Sequence, residues 1–265
     1  MPGLPTDNPR VLRQSIPGDW AAALRTLESP RRLKDHPGGT VWRATLLGHD
    51  CILKSTPLIR RKRRAQALLH RSPAWKHWRA AHLLFARGID TAPPLALLRY
   101  TENQAPFECL VLAFLPGGTV LEHLADRDLA PSEEHRLAEA VATLACTLAS
   151  HGLRNRDAKP SNLVVTSIDR SAACLAVIDC ADLRRVRGSP EHAVAQMLAS
   201  AFIEPLGCGL TPRRALCARA VHTAAHILTP DQPATTARRL WQRAAAIVTA
   251  HGDATPADNP LRTQK

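Results

Sequence analysis

The chain has 265 residues, 45% of them hydrophobic, which is enough for one large core or two modest ones and excludes a disordered chain as the default. Lysine plus arginine number 35 against 23 aspartates and glutamates, a formal net charge of +12, so anionic partners are expected: a nucleotide, a phosphorylated glycolipid, a membrane surface or nucleic acid. Aromatic residues make up only 4%, too few for the ring platforms of a single-strand binder, and nucleic acid falls to the bottom of that set.

Seven cysteines, at positions 51, 109, 146, 174, 180, 208 and 217, form an odd set without a CxxC pair. That usage fits a reducing cytosol. The opening MPGLPTDNPRVLRQ has no charged segment followed by an apolar one, and the longest apolar run, Cys109 to Leu121, is interrupted by Pro116, Gly117 and Gly118. A secretory leader is not expected, nor is a spanning helix, which needs roughly 20 apolar residues. The expected location is cytoplasmic.

Residues 1–30 read as an N-terminal extension, with about the first 16 residues frayed because they are polar and proline-punctuated. Thr40 to Leu46 and Cys51 to Lys54 read as strands of a hairpin turned at Gly48-His49. A helix is expected from Pro73 to Ala86, with Ser72 as its cap and Pro73 in the first turn. Trp75 and Trp78, three apart on it, read as core contacts. Leu95 to Thr101 and Glu108 to Phe114 form a second strand pair across the polar connection ENQAP.

After Pro116-Gly117-Gly118 the period becomes helical, over Thr119 to Ala125, Ser132 to Ser150, Pro190 to Glu204, Pro212 to Leu228 and Ala234 to Ala250. The expectation is therefore an α+β chain with a small sheet-rich lobe at 31–116, a larger helical lobe at 117–251 and a frayed tail at 252–265.

The stretch HGLRNRDAKPSNLVV, His151 to Val165, places an acid, a cation and an amide in one tight loop. Phosphoryl transfer needs little covalent help from a protein; it needs a positioned hydroxyl, a neutralised phosphate and a held magnesium ion. Asp157 suits the hydroxyl proton, Lys159 the γ-phosphate and Asn162 the metal. A second metal-binding carboxylate should follow on the next strand, and the apolar run Leu175 to Ile178 ends in Asp179, which a hairpin would bring beside Asn162.

These residues resemble the protein kinase-like superfamily, whose catalytic loop reads HRDxKPxN and whose metal-binding aspartate follows a later strand. Arg156, Asp157, Lys159, Pro160 and Asn162 match that loop position for position. The resemblance implies a bilobal kinase-like fold, with ATP and Mg2+ bound between the lobes. It implies that Lys54, ending CILK, holds the α- and β-phosphates, that Gly38 and Gly39 belong to the hairpin covering them, and that the segment around Leu115 contacts adenine.

Several residues depart from that pattern. Asn155 stands in place of the loop histidine, Asp179-Cys180-Ala181 in place of DFG, and only two glycines mark the phosphate hairpin. From Ser55 to Gly88 nine lysines and arginines occur with no acid, so the usual partner of the strand lysine has no candidate on the helix. Asp179 is followed by a short segment and then a helix, which argues against a protein substrate. The helix text SPAWKHWRAAHLLFARGIDTAPPLAL and the run from Ile178 to Arg187 look most like the bacterial lipopolysaccharide core kinases, over roughly residues 31–228. That likeness implies a sugar of the inner core, or another anionic glycolipid, as acceptor, and a peripheral place at the inner membrane. The basic run Arg60 to Arg64 reads as a solvated face, or else as a docking patch for an acidic headgroup.

Overall fold

The computed structural model describes residues 7–27, 30–36, 38–126, 129–251 and 261. The chain divides into two compact units, Met1–Leu115 and Pro116–Lys265. The fold class is α+β, with an antiparallel sheet in the first unit and a helical assembly in the second.

In the first unit, strands β1 (Asp7–Gln14), β2 (Arg31–His36), β3 (Gly39–Leu46), β4 (His49–Pro57), β5 (Pro94–Glu102) and β6 (Ala105–Ala113) form one sheet in the order β1-β5-β6-β4-β3-β2. Side chains alternate across it. Trp42, Ala44, Cys51, Leu53, Leu98, Tyr100, Cys109 and Val111 build a core under the short helix α1 (Trp20–Arg25), whose Trp20 and Leu24 are fully buried. The first unit also holds α2 (Arg61–Leu68) and α3 (Pro73–Phe85), the latter packed on β5 and β6. Ser72 caps α3 by accepting the Trp75 amide at 3.3 Å, with Pro73 in the first turn and Trp75 and Trp78 buried.

Three expectations are corrected here. Residues 7–14 are not frayed: β1 pairs antiparallel with β5, Val11 opposite Leu98. Its sequence hides it because an edge strand bonds on one side only, which tolerates Pro9 and needs few apolar residues. The first hairpin turns at Leu47-Gly48, not Gly48-His49. Leu46 faces His49, and both turn residues lie at positive φ, 51° and 79°, as a two-residue turn matched to strand twist requires. The ENQAP connection also shrinks to two turn residues, Asn103 and Gln104 at φ 47° and 63°, and the strands extend to meet them.

The second unit opens with α4 (Val120–Ala125), capped by a reciprocal Thr119–Glu122 box, and α5 (Pro131–Ser150). Then come the short strands β7 (Leu153–Asn155), β8 (Leu163–Ile168), β9 (Ala173–Val177) and β10 (Leu183–Arg185). Helices α6 (Pro190–Gly207), α7 (Arg214–Leu228) and α8 (Pro233–Ala250) complete it. Helix α5 packs on α6 and α7 and also against β7 and β9, and the strands form two small two-stranded sheets, the β8–β9 hairpin and the pair of β7 with the later β10.

Helix α6 runs three residues beyond the expected Glu204, because Pro205 lies in its last turn, where it interrupts little of the backbone ladder. Gly117 is required by its backbone: φ is +120°, and a Cβ there would lie 2.1 Å from the Val165 carbonyl oxygen. Of the expected frayed tail at 252–265, only Leu261 falls among the described residues; it is buried and accepts the Trp241 indole N–H at 2.6 Å. Among the described residues, no helix is long and apolar enough to cross a membrane.

Candidate functional site

The polypeptide leaves α5 through Gly152, at φ +67°, and runs along β7 into the loop 156–162. Asn155, only 1% exposed, organises that loop. Its side-chain oxygen accepts the Asp157 amide at 3.1 Å and its Nδ2 donates to the Asp179 carbonyl at 2.9 Å. One buried amide thus fixes the backbone of both aspartates while leaving their carboxylates unoccupied by it. A neutral side chain can do this without drawing a charge from the site.

A 3-10 turn, Pro160–Asn162, follows, and Asn162 reaches back to donate through Nδ2 to the Asp157 carbonyl at 3.0 Å and to its Oδ2 at 2.8 Å. Its Oδ1 is left without a hydrogen bond among the described residues. Strands β8 and β9 then form a hairpin in which Leu163 faces Val177 and the Ile178 amide donates to the Asn162 carbonyl at 3.0 Å. This register sets Asp179 beside Asn162. The Asp179 Oδ1 accepts the Ala181 amide at 3.3 Å, turning the chain into β10, which pairs back onto β7 with Leu183 opposite Asn155. The hairpin turn is held by Asp169, whose Oδ1 accepts the Ser171 hydroxyl and the amides of Ser171 and Ala172; these bonds, the hydroxyl foremost, draw its carboxyl down to about 2.

Lys159 bridges two carboxylates, Asp157 at 3.5 Å and Glu204 at 3.8 Å. Glu204, on α6, also accepts the Ser161 amide at 2.7 Å and the Ser161 hydroxyl at 2.5 Å, which ties the loop to the helix. Neither Asn155 nor Glu204 was singled out as a site residue from the sequence. Asn155 stood out only as a departure from the loop pattern, and Glu204 lies 42 positions after Asn162, on a helix whose periodicity says nothing of its partner.

Beside Asp157 and Lys159 opens a cavity of about 720 Å³, whose wall includes Arg154, Arg156, Ser200 and His251. Arg154 donates through Nη1 to the Gln196 side chain, while its Nε is buried without a partner. The lining mixes the cations Arg154, Arg156 and Lys159 with the acids Asp157 and Glu204 and the apolar Ile203 and Ile247.

Asp157, Asn162 and Asp179 offer two carboxylates and an amide oxygen, a hard donor set. Among the described residues no group of three His, Cys, Asp or Glu is gathered into a metal cage. The donors would suit a magnesium ion that keeps most of its shell in water and phosphate oxygens.

The remaining expected site residues belong to the first unit. Lys54 lies half-buried on β4, between Val41 of β3 and Leu110 of β6. Gly39, at φ +151°, lets β3 pass against β4 so closely that a Cβ would sit 2.3 Å from the Ser55 carbonyl oxygen. The Gly38 carbonyl accepts Arg63 Nη1 at 3.2 Å, and Leu115 is half-buried just beyond β6. Glu108 of β6 is fully buried, but it is engaged by Arg99 Nη2 at 2.7 Å. No protein-family model and no curated protein matches this chain.

Proposed function

We propose that this chain is a phosphotransferase of kinase-like fold that uses ATP and Mg2+ to phosphorylate a hydroxyl of a non-protein acceptor. The observation that carries the reading is the meeting of Asp157, Lys159, Asn162 and Asp179 at one loop and hairpin of the second unit. Asp157 is the base that receives the acceptor proton. Lys159 supplies positive charge to the transferring phosphate, and Asn162 and Asp179 hold the magnesium ion, which neutralises phosphate charge when bound. Lys54 takes the α- and β-phosphates, with Gly38 and Gly39 in the covering hairpin and Leu115 at the adenine.

The acceptor is a sugar of the lipopolysaccharide inner core, or a chemically similar anionic glycolipid. Arg154 and Arg156 in the lining of the 720 Å³ cavity support this, as do the few residues, 180–189, between Asp179 and α6, which leave little chain for binding a peptide. A second reading, a catalytically impaired kinase-like chain acting as a binding module, is favoured by the covering hairpin, where only Gly38 and Gly39 stand for the usual three glycines.

ATP consumption with magnesium, measured with and without purified inner-core lipopolysaccharide, separates the two. Acceptor-dependent turnover that falls about 10²- to 10⁴-fold in Asp157→Ala supports the transferase. Nucleotide binding without turnover on any sugar acceptor supports the binding module, and no nucleotide binding overturns both.

A further inference from the structure

We infer that helix α2 and its flanks form a docking face for an anionic lipid bilayer. The underside of α2 is fastened to the rest of the first unit. Arg63 donates to the carbonyls of Gly38 and Pro57, both at 3.2 Å, Arg99 Nη2 lies 3.4 Å from the Ala67 carbonyl, and Ala67 is fully buried. The opposite face carries Arg61, Arg64, Ala65 and Leu68, spaced i, i+3, i+4 and i+7 along the helix, and all four are exposed, although Arg64 also donates through Nε to the Leu58 carbonyl at 2.9 Å.

Apolar side chains flank the same helix. Ile59 is 62% exposed, Leu68 72% and Leu69 65%, an unusual cost for a segment otherwise made of cations. Arg60, Arg61 and Lys62 have no ion-pair partner among the described residues, and the sequence from 55 to 88 contains no acid that could supply one. Helix α3 repeats the composition on its outer side, where Arg79 and Leu83 are exposed.

Cations without counter-charges favour any polyanion. Exposed leucine and isoleucine among them favour a bilayer, where apolar side chains enter the boundary between headgroups and acyl chains while arginine and lysine stay at the phosphates. A nucleic acid offers those leucines nothing, and α2 itself carries no aromatic residue to stack bases. The inference does not depend on the phosphotransfer reading, since none of the exposed residues of this face belongs to that site.

The test is cosedimentation of the full chain with vesicles of phosphatidylcholine alone or mixed with phosphatidylglycerol. Binding is expected only to the mixed vesicles and is lost at about 0.5 M salt. Arg60→Gln, Arg61→Gln and Lys62→Gln together should weaken it about 100-fold, near fivefold per cation. Leu68→Ser with Leu69→Ser should weaken it about tenfold at unchanged charge. All five side chains are exposed, so the thermal midpoint should hold in both variants. Absence of binding to the mixed vesicles, binding indifferent to either variant, or a DNA duplex that binds more tightly and ignores the leucine changes would each overturn the inference.

Discussion

Both units of this protein bury polar groups on paired strands, and the Glu108–Arg99 pair of the first is built differently from the Asn155 network of the second. In the first, Glu108 and Arg99 face each other across β6 and β5, and the carboxylate meets the guanidinium through Oε1 while its Oε2 and the Arg99 Nε stay buried without a hydrogen-bond partner. In the second, Asn155 holds the backbone at Asp157 and Asp179 and leaves both carboxylates to other partners. A buried ion pair spends its charge on the fold, whereas a buried amide positions charge and leaves it available. The comparison explains why a fully buried acid on a central strand is structural while partly exposed acids on a loop are the candidates for chemistry.

The contrast can be broken most forcefully at Glu108. Replacing it with alanine leaves the partly buried Arg99 without its counter-charge and should cost about 3–5 kcal/mol, read as a lower urea midpoint. Leucine at both 99 and 108 should recover most of that loss. If Glu108→Ala were neutral in stability, the ion pair would not be what holds these strands.

At Asn155 the expected effect on stability is smaller. Asn155→Ala removes two hydrogen bonds and leaves a buried carbonyl unpaired, for about 1–3 kcal/mol. Its sharper signature is functional: any turnover should fall together with that of Asp157→Ala, while nucleotide binding persists. Equal loss of stability with full turnover would reduce Asn155 to a packing residue.

The smallest effect concerns Asp169. Its carboxyl is lowered from 3.8 to about 2 by the hydrogen bonds of the β8–β9 turn. A lowered acid contributes stability that is present above the unfolded value and lost as pH falls through the folded one. The thermal midpoint should therefore drop more steeply between about pH 4 and pH 2 in the wild type than in Asp169→Asn. Parallel curves would show that the turn does not depend on that charge.

Legibility followed sequence distance. Asp157, Lys159 and Asn162 lie within six positions, and Asp179 follows one apolar run later, so a loop and a hairpin account for their meeting without any knowledge of the fold. Helix α3 was equally readable, because Ser72 and Pro73 mark its start and its tryptophans mark its buried side. Glu204 was not, because only the packing of α6 against the loop brings it to Ser161 and Lys159. Strand β1 escaped for a related reason: an edge strand is specified by a neighbour's free backbone groups, and DNPRVLRQ carries little pattern of its own.

The amino-acid sequence by itself determined the α+β composition, the change from sheet to helix after Pro116, the Ser72 cap and the existence of the longer helices, since those depend on local period and local hydrogen bonding. Tertiary structure alone decided which polar residues became structural. Glu108 and Asn155 are both polar residues at strand positions, and nothing in the text separates them. Burial opposite Arg99 turned one into half of an ion pair, and burial between two backbone segments made the other the brace of the candidate site. The physical reason is that a buried polar group takes its role from the partner that satisfies it, and that partner is chosen by packing across long sequence separations.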